Sequence, residues 1–143
     1  MYNKFMKNDY IPKTSAKMTL EEARALNPLV LSFVGDSVQT LYVRVKLAST
    51  VLCKANIMHL KTSEEINAKS QASAMANIQD LLTQNEEDIY KRARNSKSNT
   101  IPKNATCQDY KKATGFEALI GYLYLTGQND RLGELIAIAY NNK

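Results

Sequence analysis

A long apolar segment without any turn signal constrains the fold of this chain more than any other feature. The segment opens at Asn27 and Pro28, an N-cap residue followed by a proline at the first helical position, where the missing N–H does no harm. It runs on to about Ala48, and a length of about 20 residues is too great for a strand, although several of its residues are β-branched. Because its apolar side chains lie on nearly every side, the segment predicts a central, buried helix.

The rest of the chain also reads as helices joined by short connections. Thr19 and Glu22 have the spacing of a capping box, which predicts that a helix begins there. Longer helices are predicted from about Ser63 to Leu82 and from about Thr106 to Leu125. These patterns predict an all-α fold, a bundle of six to seven helices.

The length of the chain indicates one domain. It has 143 residues, of which 44% are hydrophobic, enough for a substantial core. The first 18 residues alternate lysine with polar residues and contain no apolar stretch of the signal-peptide kind. We predict a flexible N-terminal arm over residues 1–18 and a single domain over residues 19–143.

Charge and cysteine content narrow the possible partners and compartment. The net charge is +5, which permits a polyanionic partner without requiring one. The two cysteines, Cys53 and Cys107, are far apart and form no CxxC motif, so we expect structural thiols in a reducing cytoplasm. No apolar run reaches the roughly 18 residues of a membrane span, so we expect no membrane partner.

The common catalytic templates are missing. His59 is the only histidine, and no GxSxG motif provides a serine nucleophile, although a Ser–His–Asp triad is not excluded. The chain contains neither a GxxxxGK[ST] motif nor a GxGxxG motif, which excludes P-loop enzymes and dinucleotide-binding folds.

Two carboxylates lie in strongly apolar helical segments. Asp36 follows Gly35 within SFVGDSV, and Glu117 lies within GFEALIGYLYL. If the two acids face each other, one of them must be protonated or a cation must lie between them, and Mg²⁺ above all suits such oxygen ligands. The alternative is that both acids lie on polar faces or bond to Ser, Thr or Lys, and the pattern alone leaves this open.

A basic segment follows the predicted helix NEEDIYKRAR. Between Lys91 and Lys103 the chain has five Lys or Arg residues and no acid. Cations among small hydrogen-bonding side chains suit a phosphate backbone, and the lack of an interleaved aromatic residue favours a duplex over unpaired bases. The alternative is a solvated basic loop.

Taken together, these segments resemble the ribonuclease III family. FVGDS (33–37) and FEALIGYLYL (116–125) are similar to the two acidic motifs of that family. YVR (42–44), AKSQA (68–72) and RNSKSNTIPKN (94–104) are similar, in matching order, to segments of the Mini-ribonuclease III subfamily, which lacks a double-stranded-RNA-binding domain.

The resemblance implies an all-α homodimer that cleaves double-stranded RNA with Mg²⁺, for which Mn²⁺ substitutes. Asp36 and Glu117 would be the catalytic residues and the metal ligands, and hydrolysis would leave a 5′-phosphate and a 3′-hydroxyl. The implied substrate is the base-paired stem of precursor 23S ribosomal RNA in the cytoplasm. One alternative is a non-catalytic RNA-binding or ribosome-assembly module of the same fold, and such relatives tend to lose the two acids. A second is a basic helical DNA-binding protein, but no helix-turn-helix pattern is evident.

The chain departs from the larger family members at three positions, where Leu29, Ser32 and Thr114 replace acids. We expect Ser32 and Thr114 to form a second layer around the metal site. Without a separate RNA-binding domain, the loop from Arg92 to Asn104 becomes the predicted RNA clamp. The residues to which we assign RNA binding carry basic or amide side chains, and they are Lys69, Arg92, Arg94, Asn95, Lys97, Lys103 and Asn104.

Overall fold

The structure is a computed structural model that describes residues 12–15, 17–96, 103 and 105–140. This part of the chain contains seven α-helices, one short 3-10 helix at Gln79–Leu81 and no strand, which confirms the predicted all-α bundle. The α-helices are α1 (Leu20–Ala25), α2 (Pro28–Thr50), α3 (Ala55–Ile66), α4 (Ala68–Ala76), α5 (Gln84–Arg94), α6 (Cys107–Leu125) and α7 (Asn129–Tyr140).

Helix α6 forms the centre of the bundle. Its apolar residues from Ala118 to Leu123 are almost entirely buried, and α2, α4 and α5 pack around it. The backbones of α2 and α6 touch at two glycines. A Cβ atom on Gly35 would lie 1.7 Å from the carbonyl oxygen of Glu117, and one on Gly121 would lie 2.0 Å from that of Leu31. Only glycine fits at these two contacts, and they set α2 directly against the helix that carries Glu117.

The local signals at the helix starts are confirmed. Thr19 and Glu22 form the predicted capping box, with the Glu22 backbone N–H donating to the Thr19 hydroxyl. The side chain of Asn27 accepts from the backbone N–H of Leu29, and Pro28 is the first residue of α2. These contacts are made within four residues of each other, so the sequence alone contains the information that determines them.

The prediction of one helix from Ser63 to Leu82 is wrong, because the chain breaks at Asn67. The Asn67 side chain accepts from the backbone N–H of Ser70 and donates to the carbonyl oxygens of Ser63 and Glu64. One residue therefore caps both the end of α3 and the start of α4. The break turns α4 onto α6, which brings the AKSQA segment beside Glu117.

The prediction that α2 is buried on all sides is also wrong. One face is buried, but the opposite face leaves Phe33 76% and Leu41 47% exposed, with Leu29 and Val30 beside them. An apolar face of a helix does not by itself indicate whether the core or another molecule covers it.

A buried ion pair joins α5 to α7. The carboxylate of Glu86 accepts from Arg131 at both oxygens, at 2.8 Å and 3.0 Å, and from the backbone N–H of Thr83 at 2.9 Å. Burial by itself would raise the pKa of Glu86, but the bonds and charge of Arg131 and the Thr83 N–H outweigh it and lower the pKa below 4.5.

The N-terminal segment meets the bundle near its end. Of the predicted arm, residues 1–11 and Ala16 lie outside the described residues. The backbone N–H of Met18 donates to the carbonyl oxygen of Leu125 at 2.8 Å, and the Met18 side chain packs against the core. Within the described part of the chain, no helix is both long and apolar enough to cross a membrane.

Candidate metal and RNA site

The contact between α2 and α6 brings the two predicted acids together. Asp36 directly follows Gly35, whose backbone lies against that of Glu117. The Asp36 carboxyl group is close enough for its charge and a hydrogen bond to raise the pKa of Glu117. Two residues 81 positions apart in the sequence thus form one acidic pair because two glycines allow their helices to touch.

The two acids differ in their exposure to solvent. The more enclosed of them is not Asp36, which lies in the helix that was predicted to be buried. Asp36 was expected to be buried, but it is exposed because it lies towards the outer side of α2. Glu117 is the more enclosed acid. Its burial, followed by the charge and hydrogen bond of Asp36, raises its pKa to about 8, against the opposing effect of a hydrogen bond from Gln71. The unfavourable burial of a carboxylate therefore falls on Glu117 and not on Asp36.

A cavity of about 690 Å³ opens beside Glu117. Its walls come from α3, α4 and α6, with Glu64, Lys69, Gln71 and Thr114 among the residues that line it. Lys69 also borders a neighbouring polar cavity of about 490 Å³. Lys69 and Glu117 therefore line the same cavity, and a role for Lys69 in RNA binding stays a prediction.

A chain of buried polar side chains leads from Glu117 into the core, and the sequence reasoning missed it. Gln71 donates to Glu117 Oε2 and to Gln39 Oε1, and Gln39 donates to the hydroxyl of Tyr140. Gln71 lies in AKSQA and Gln39 lies three residues after Asp36. The sequence signal for these two residues was an uncharged amide on the buried face of a helix. That signal could not predict the hydrogen bond between Gln39 and Gln71, because it depends on contacts between distant segments.

The predicted second-layer residues Ser32 and Thr114 meet each other at the contact between α2 and α6. The Ser32 hydroxyl is buried and donates to the carbonyl oxygen of Thr114 at 2.8 Å. The Thr114 hydroxyl donates to the carbonyl oxygen of Tyr110 at 2.9 Å, and Thr114 lines the cavity beside Glu117. Both hydroxyl hydrogens are thus engaged with backbone, and a role for either residue in holding water near a metal stays a prediction.

The described residues of the predicted RNA clamp lie at the end of α5 and before α6. Arg92 is exposed and donates to the carbonyl oxygen of Arg24. Arg94 lies over the ring of Tyr90, 5.5 Å from its centroid, and donates to the side chain of Asn95. Asn95 and Lys103 are exposed, while Lys97 and Asn104 lie outside the described residues.

The acidic pair fits a hard divalent cation. Within the described residues, no three His, Cys, Asp or Glu side chains lie close enough together to hold a metal ion. The charged ligands of this site are therefore the two carboxylates of Asp36 and Glu117. Mg²⁺ in proteins commonly uses one or two carboxylates together with waters and substrate phosphates. The raised pKa of Glu117 shows that the nearby protein groups do not compensate its negative charge, and a divalent cation would do so.

Comparisons with known proteins identify the family of this chain. The family model of the ribonuclease III domain matches residues 29–128, which include both acids. Mini-ribonuclease 3 of Thermoanaerobacter sp. (strain X514) is 45% identical over 85% of this chain and 86% of its own length. Mini-ribonuclease 3 of Enterococcus faecalis (strain ATCC 700802 / V583) is 44% identical over 82% of this chain and 90% of its own length.

A solved structure provides the same result for the fold. The crystal structure of a protein from Fusobacterium nucleatum matches with a TM-score of 0.75 and 30% identity, covering 84% of this chain and 96% of that one. The family model and the relatives each cover well over half of the chain. The chain therefore belongs to the ribonuclease III family, within its group of Mini-ribonuclease 3 proteins.

Proposed function

We propose that Asp36 and Glu117 hold Mg²⁺ at the phosphate that this enzyme cleaves, with Mn²⁺ as a substitute. As a ribonuclease III family member, the protein is an endoribonuclease that acts on double-stranded RNA. The observation that carries the proposal is the pairing of an exposed acid with an enclosed one whose pKa is raised to about 8. Such a pair is unfavourable as two anions and becomes favourable around a divalent cation.

The residues of the site have separate tasks in this proposal. When bound, the divalent ion supplies positive charge that polarises the phosphate and makes water a stronger nucleophile. Glu117 holds a proton at neutral pH without the ion and must release it to act as a ligand. Asp36 offers a carboxylate from the exposed side, and Lys69 at the cavity wall supplies a cation for the RNA backbone. Hydrolysis leaves a 5′-phosphate and a 3′-hydroxyl.

We propose the base-paired stem of precursor 23S ribosomal RNA, in the cytoplasm, as the natural substrate. The basic residues of the predicted clamp suit a duplex, because an A-form helix presents mainly its backbone and sugar hydroxyls. Arg92, Arg94 and Lys103 would contact phosphates, together with Lys97, Asn95 and Asn104 of the same predicted clamp. These contacts give affinity for a duplex and little choice among sequences.

We propose that the enzyme is a homodimer joined through the exposed face of α2. Leu29, Phe33 and Leu41 follow each other on that face at helical spacing, with Phe33 76% exposed. An apolar stripe of this kind suits a second copy of the chain, since both copies present the same surface. Asp36 lies between Phe33 and Leu41 on the same helix, so a dimer would place its interface next to the acidic pair.

Light scattering during gel filtration tests the dimer. We expect a dimer for the wild type and a monomer for Phe33→Asp, because a buried, unpaired charge at an interface is strongly unfavourable. Leu81→Asp is the matched control, since Leu81 is 46% exposed on the 3-10 helix, away from α2. A monomeric wild type would contradict the dimer, and a dimeric Phe33→Asp protein would show that α2 does not form its interface.

A cleavage assay tests the proposed function itself. The protein is incubated with a stem-forming RNA in Mg²⁺ or in EDTA, beside Asp36→Asn and Glu117→Gln. We expect cleavage only for the wild type with Mg²⁺, and a loss of about a thousandfold or more in each variant, because each removes a ligand of an ion that contributes several kcal/mol. If a variant cuts as well as the wild type, the residue that it replaces is not a metal ligand. A wild type that binds the stem without cutting it would favour the non-catalytic module.

A further inference from the structure

We propose that Gln71, held in place by Gln39 and Tyr140, is a positioning residue that orients the carboxylate of Glu117 towards the divalent cation. The inference rests on the proposed role of Glu117 as a metal ligand. It adds three residues that do not touch the cation or the RNA and that act through Glu117. We call these three residues the amide relay.

The first step of the relay is the nitrogen of Gln71. It donates to Gln39 Oε1 at 2.7 Å and to Glu117 Oε2 at 3.4 Å. A primary amide nitrogen has two hydrogens, so both donors are used and the nitrogen must face the carboxylate. The distance to Glu117 is longer than an ordinary hydrogen bond, and an ionised carboxylate would attract the donor more strongly.

The second step concerns the core residues that hold Gln71 in place. Gln39 is completely buried, and its nitrogen donates to the hydroxyl of Tyr140, so its oxygen is the atom presented to Gln71. Tyr140 is itself 6% exposed, with its ring stacked on Tyr42 at 6.4 Å and edge-on to Phe116 at 6.2 Å. When Glu117 is ionised it can only accept, so the Gln71 nitrogen faces it, and the Gln39 amide and the packed Tyr140 hydroxyl, which can donate or accept, hold Gln71 in place from the core.

The third step concerns where the relay lies. Its members come from α2, α4 and α7, and it ends at Glu117 on α6. Burying two amides in an apolar core has a cost that methionine or leucine would avoid, so their presence needs a reason. Its position supplies one, since ligating carboxylates are held by hydrogen-bonded partners whose loss typically lowers metal affinity by about 10–100-fold.

Gln71→Met is the main test, because methionine keeps the length of the side chain and removes both donors. Mn²⁺ binding to the RNA-free protein is followed by the electron spin resonance signal of the free ion. The Mg²⁺ concentration for half-maximal cleavage is measured in parallel. We expect both to indicate metal binding weaker by about tenfold or more, with unchanged affinity for a stem RNA in EDTA. A folded Gln71→Met protein with unchanged metal affinity would overturn the relay.

Three further variants separate positioning from simple stability. Gln128→Met is the matched control, since Gln128 donates to Thr126 far from the acids, and its metal affinity should stay unchanged. Tyr140→Phe keeps the ring and removes the hydroxyl, so a smaller shift in the same direction is expected. If Gln71→Met does not fold, the metal affinity of Tyr140→Phe decides whether the relay acts on Glu117. Adding Gln71→Met to Glu117→Gln should have no further effect on metal binding, and a further loss there would contradict action through Glu117.

The outcomes distinguish this inference from the proposed function. If the wild type cleaves RNA with Mg²⁺ and Gln71→Met binds Mn²⁺ equally well, the relay fails and the proposed function stands. If the wild type does not cleave, the proposed function fails, and the Mn²⁺ comparison still decides whether Gln71 orients Glu117. A wild type that binds no Mn²⁺ and needs no divalent ion for cleavage overturns both.

Discussion

Two glutamates of this bundle, Glu86 and Glu117, are both enclosed by protein, yet their pKa values move in opposite directions. Glu86 meets Arg131 and the backbone N–H of Thr83, and its pKa is lowered although burial alone would raise it. Glu117 meets a second acid, Asp36, and one amide, and its pKa is raised to about 8, first by burial. The protein pairs Glu86 with a cationic side chain, Arg131, and places Glu117 beside another acid, Asp36.

The difference separates a structural acid from a ligand. Glu86 is ionised and fully partnered, so it fastens α5 to α7 and has no capacity left for a cation from solution. Glu117 borders a cavity and has a raised pKa, so we expect it to bind a partner from outside the chain. The central claim of the proposed mechanism is that this partner is a divalent cation shared with Asp36.

The largest expected effect comes from separating the two helices that create the acidic pair. In Gly35→Ala, the added methyl group would lie 1.7 Å from the Glu117 carbonyl oxygen, so α2 and α6 must move apart. We expect the free energy of unfolding to fall by about 4 kcal/mol, at the upper end for single substitutions. Urea denaturation measures it, and Ser49→Ala, at an exposed site near the end of the same helix, is the control. A fully stable Gly35→Ala protein would contradict the close contact.

The next effect contrasts the two glutamates directly. Glu86→Gln removes the buried anionic partner of Arg131 and leaves it paired with Glu134, and we expect a loss of about 2 kcal/mol in the free energy of unfolding. Glu117→Gln, measured in EDTA at pH 8 or above, should instead raise stability, because it removes a carboxylate that is unfavourable when ionised. Equal losses in the two variants would show that Glu117 is as structural as Glu86.

The pH dependence of stability should also differ between the two sites. Because the pKa of Glu117 is about 8 in the folded protein and 4.5 ordinarily, its contribution is complete below pH 4.5 and is lost as the pH rises to 8. The slope reaches up to about 1.4 kcal/mol per pH unit. The lowered pKa of Glu86 acts the other way, since its contribution is present above pH 4.5 and is lost in more acidic solution. Denaturation of the wild type and Glu117→Gln in EDTA measures this slope. A wild-type slope that persists in Glu117→Gln would assign it to another group.

The sequence predicted those parts of the fold that depend on neighbouring residues. The caps at Thr19 and Asn27 and the proline at the start of α2 are set within a few residues and were predicted correctly. The Glu86–Arg131 pair spans 45 residues, and no local pattern indicates it. Asn67, which ends one helix and begins the next, resembles an ordinary polar residue within a helix until α4 is seen to pack on α6.

The site was predicted only in part, because local patterns do not show how distant segments of the chain pack together. Two acids in apolar helices indicated a pair, and the structure brings Asp36 and Glu117 together. The pattern could not show which of them is enclosed, because the apolar residues around Asp36 include Phe33 and Leu41, whose face the core does not cover. The amides Gln39 and Gln71 lie on two helices, and only the packing of those helices joins them.

The smallest expected effect concerns the basic residues of the predicted clamp. Replacing Arg92, Arg94 and Lys97 with alanine should weaken binding of a stem RNA and reduce its salt dependence by a slope of about one for each lost phosphate contact. Lys91→Ala is the control, because Lys91 pairs with Glu87 at 3.0 Å on the same helix. Fluorescence anisotropy over a range of salt concentrations measures both quantities, and unchanged affinity and slope in the triple variant would remove this segment from the RNA site.

The titration of Glu117 itself tests the central claim most directly. Carbon-13 NMR of labelled glutamate carboxyl groups, with Glu117 assigned by its absence in Glu117→Gln, gives the pKa in EDTA and in Mg²⁺. The proposed mechanism predicts a pKa of about 8 in EDTA and a carboxylate that stays ionised in Mg²⁺ down to its ordinary range near 4.5. A pKa near 4.5 in EDTA that Mg²⁺ does not change would contradict a cation site at Asp36 and Glu117.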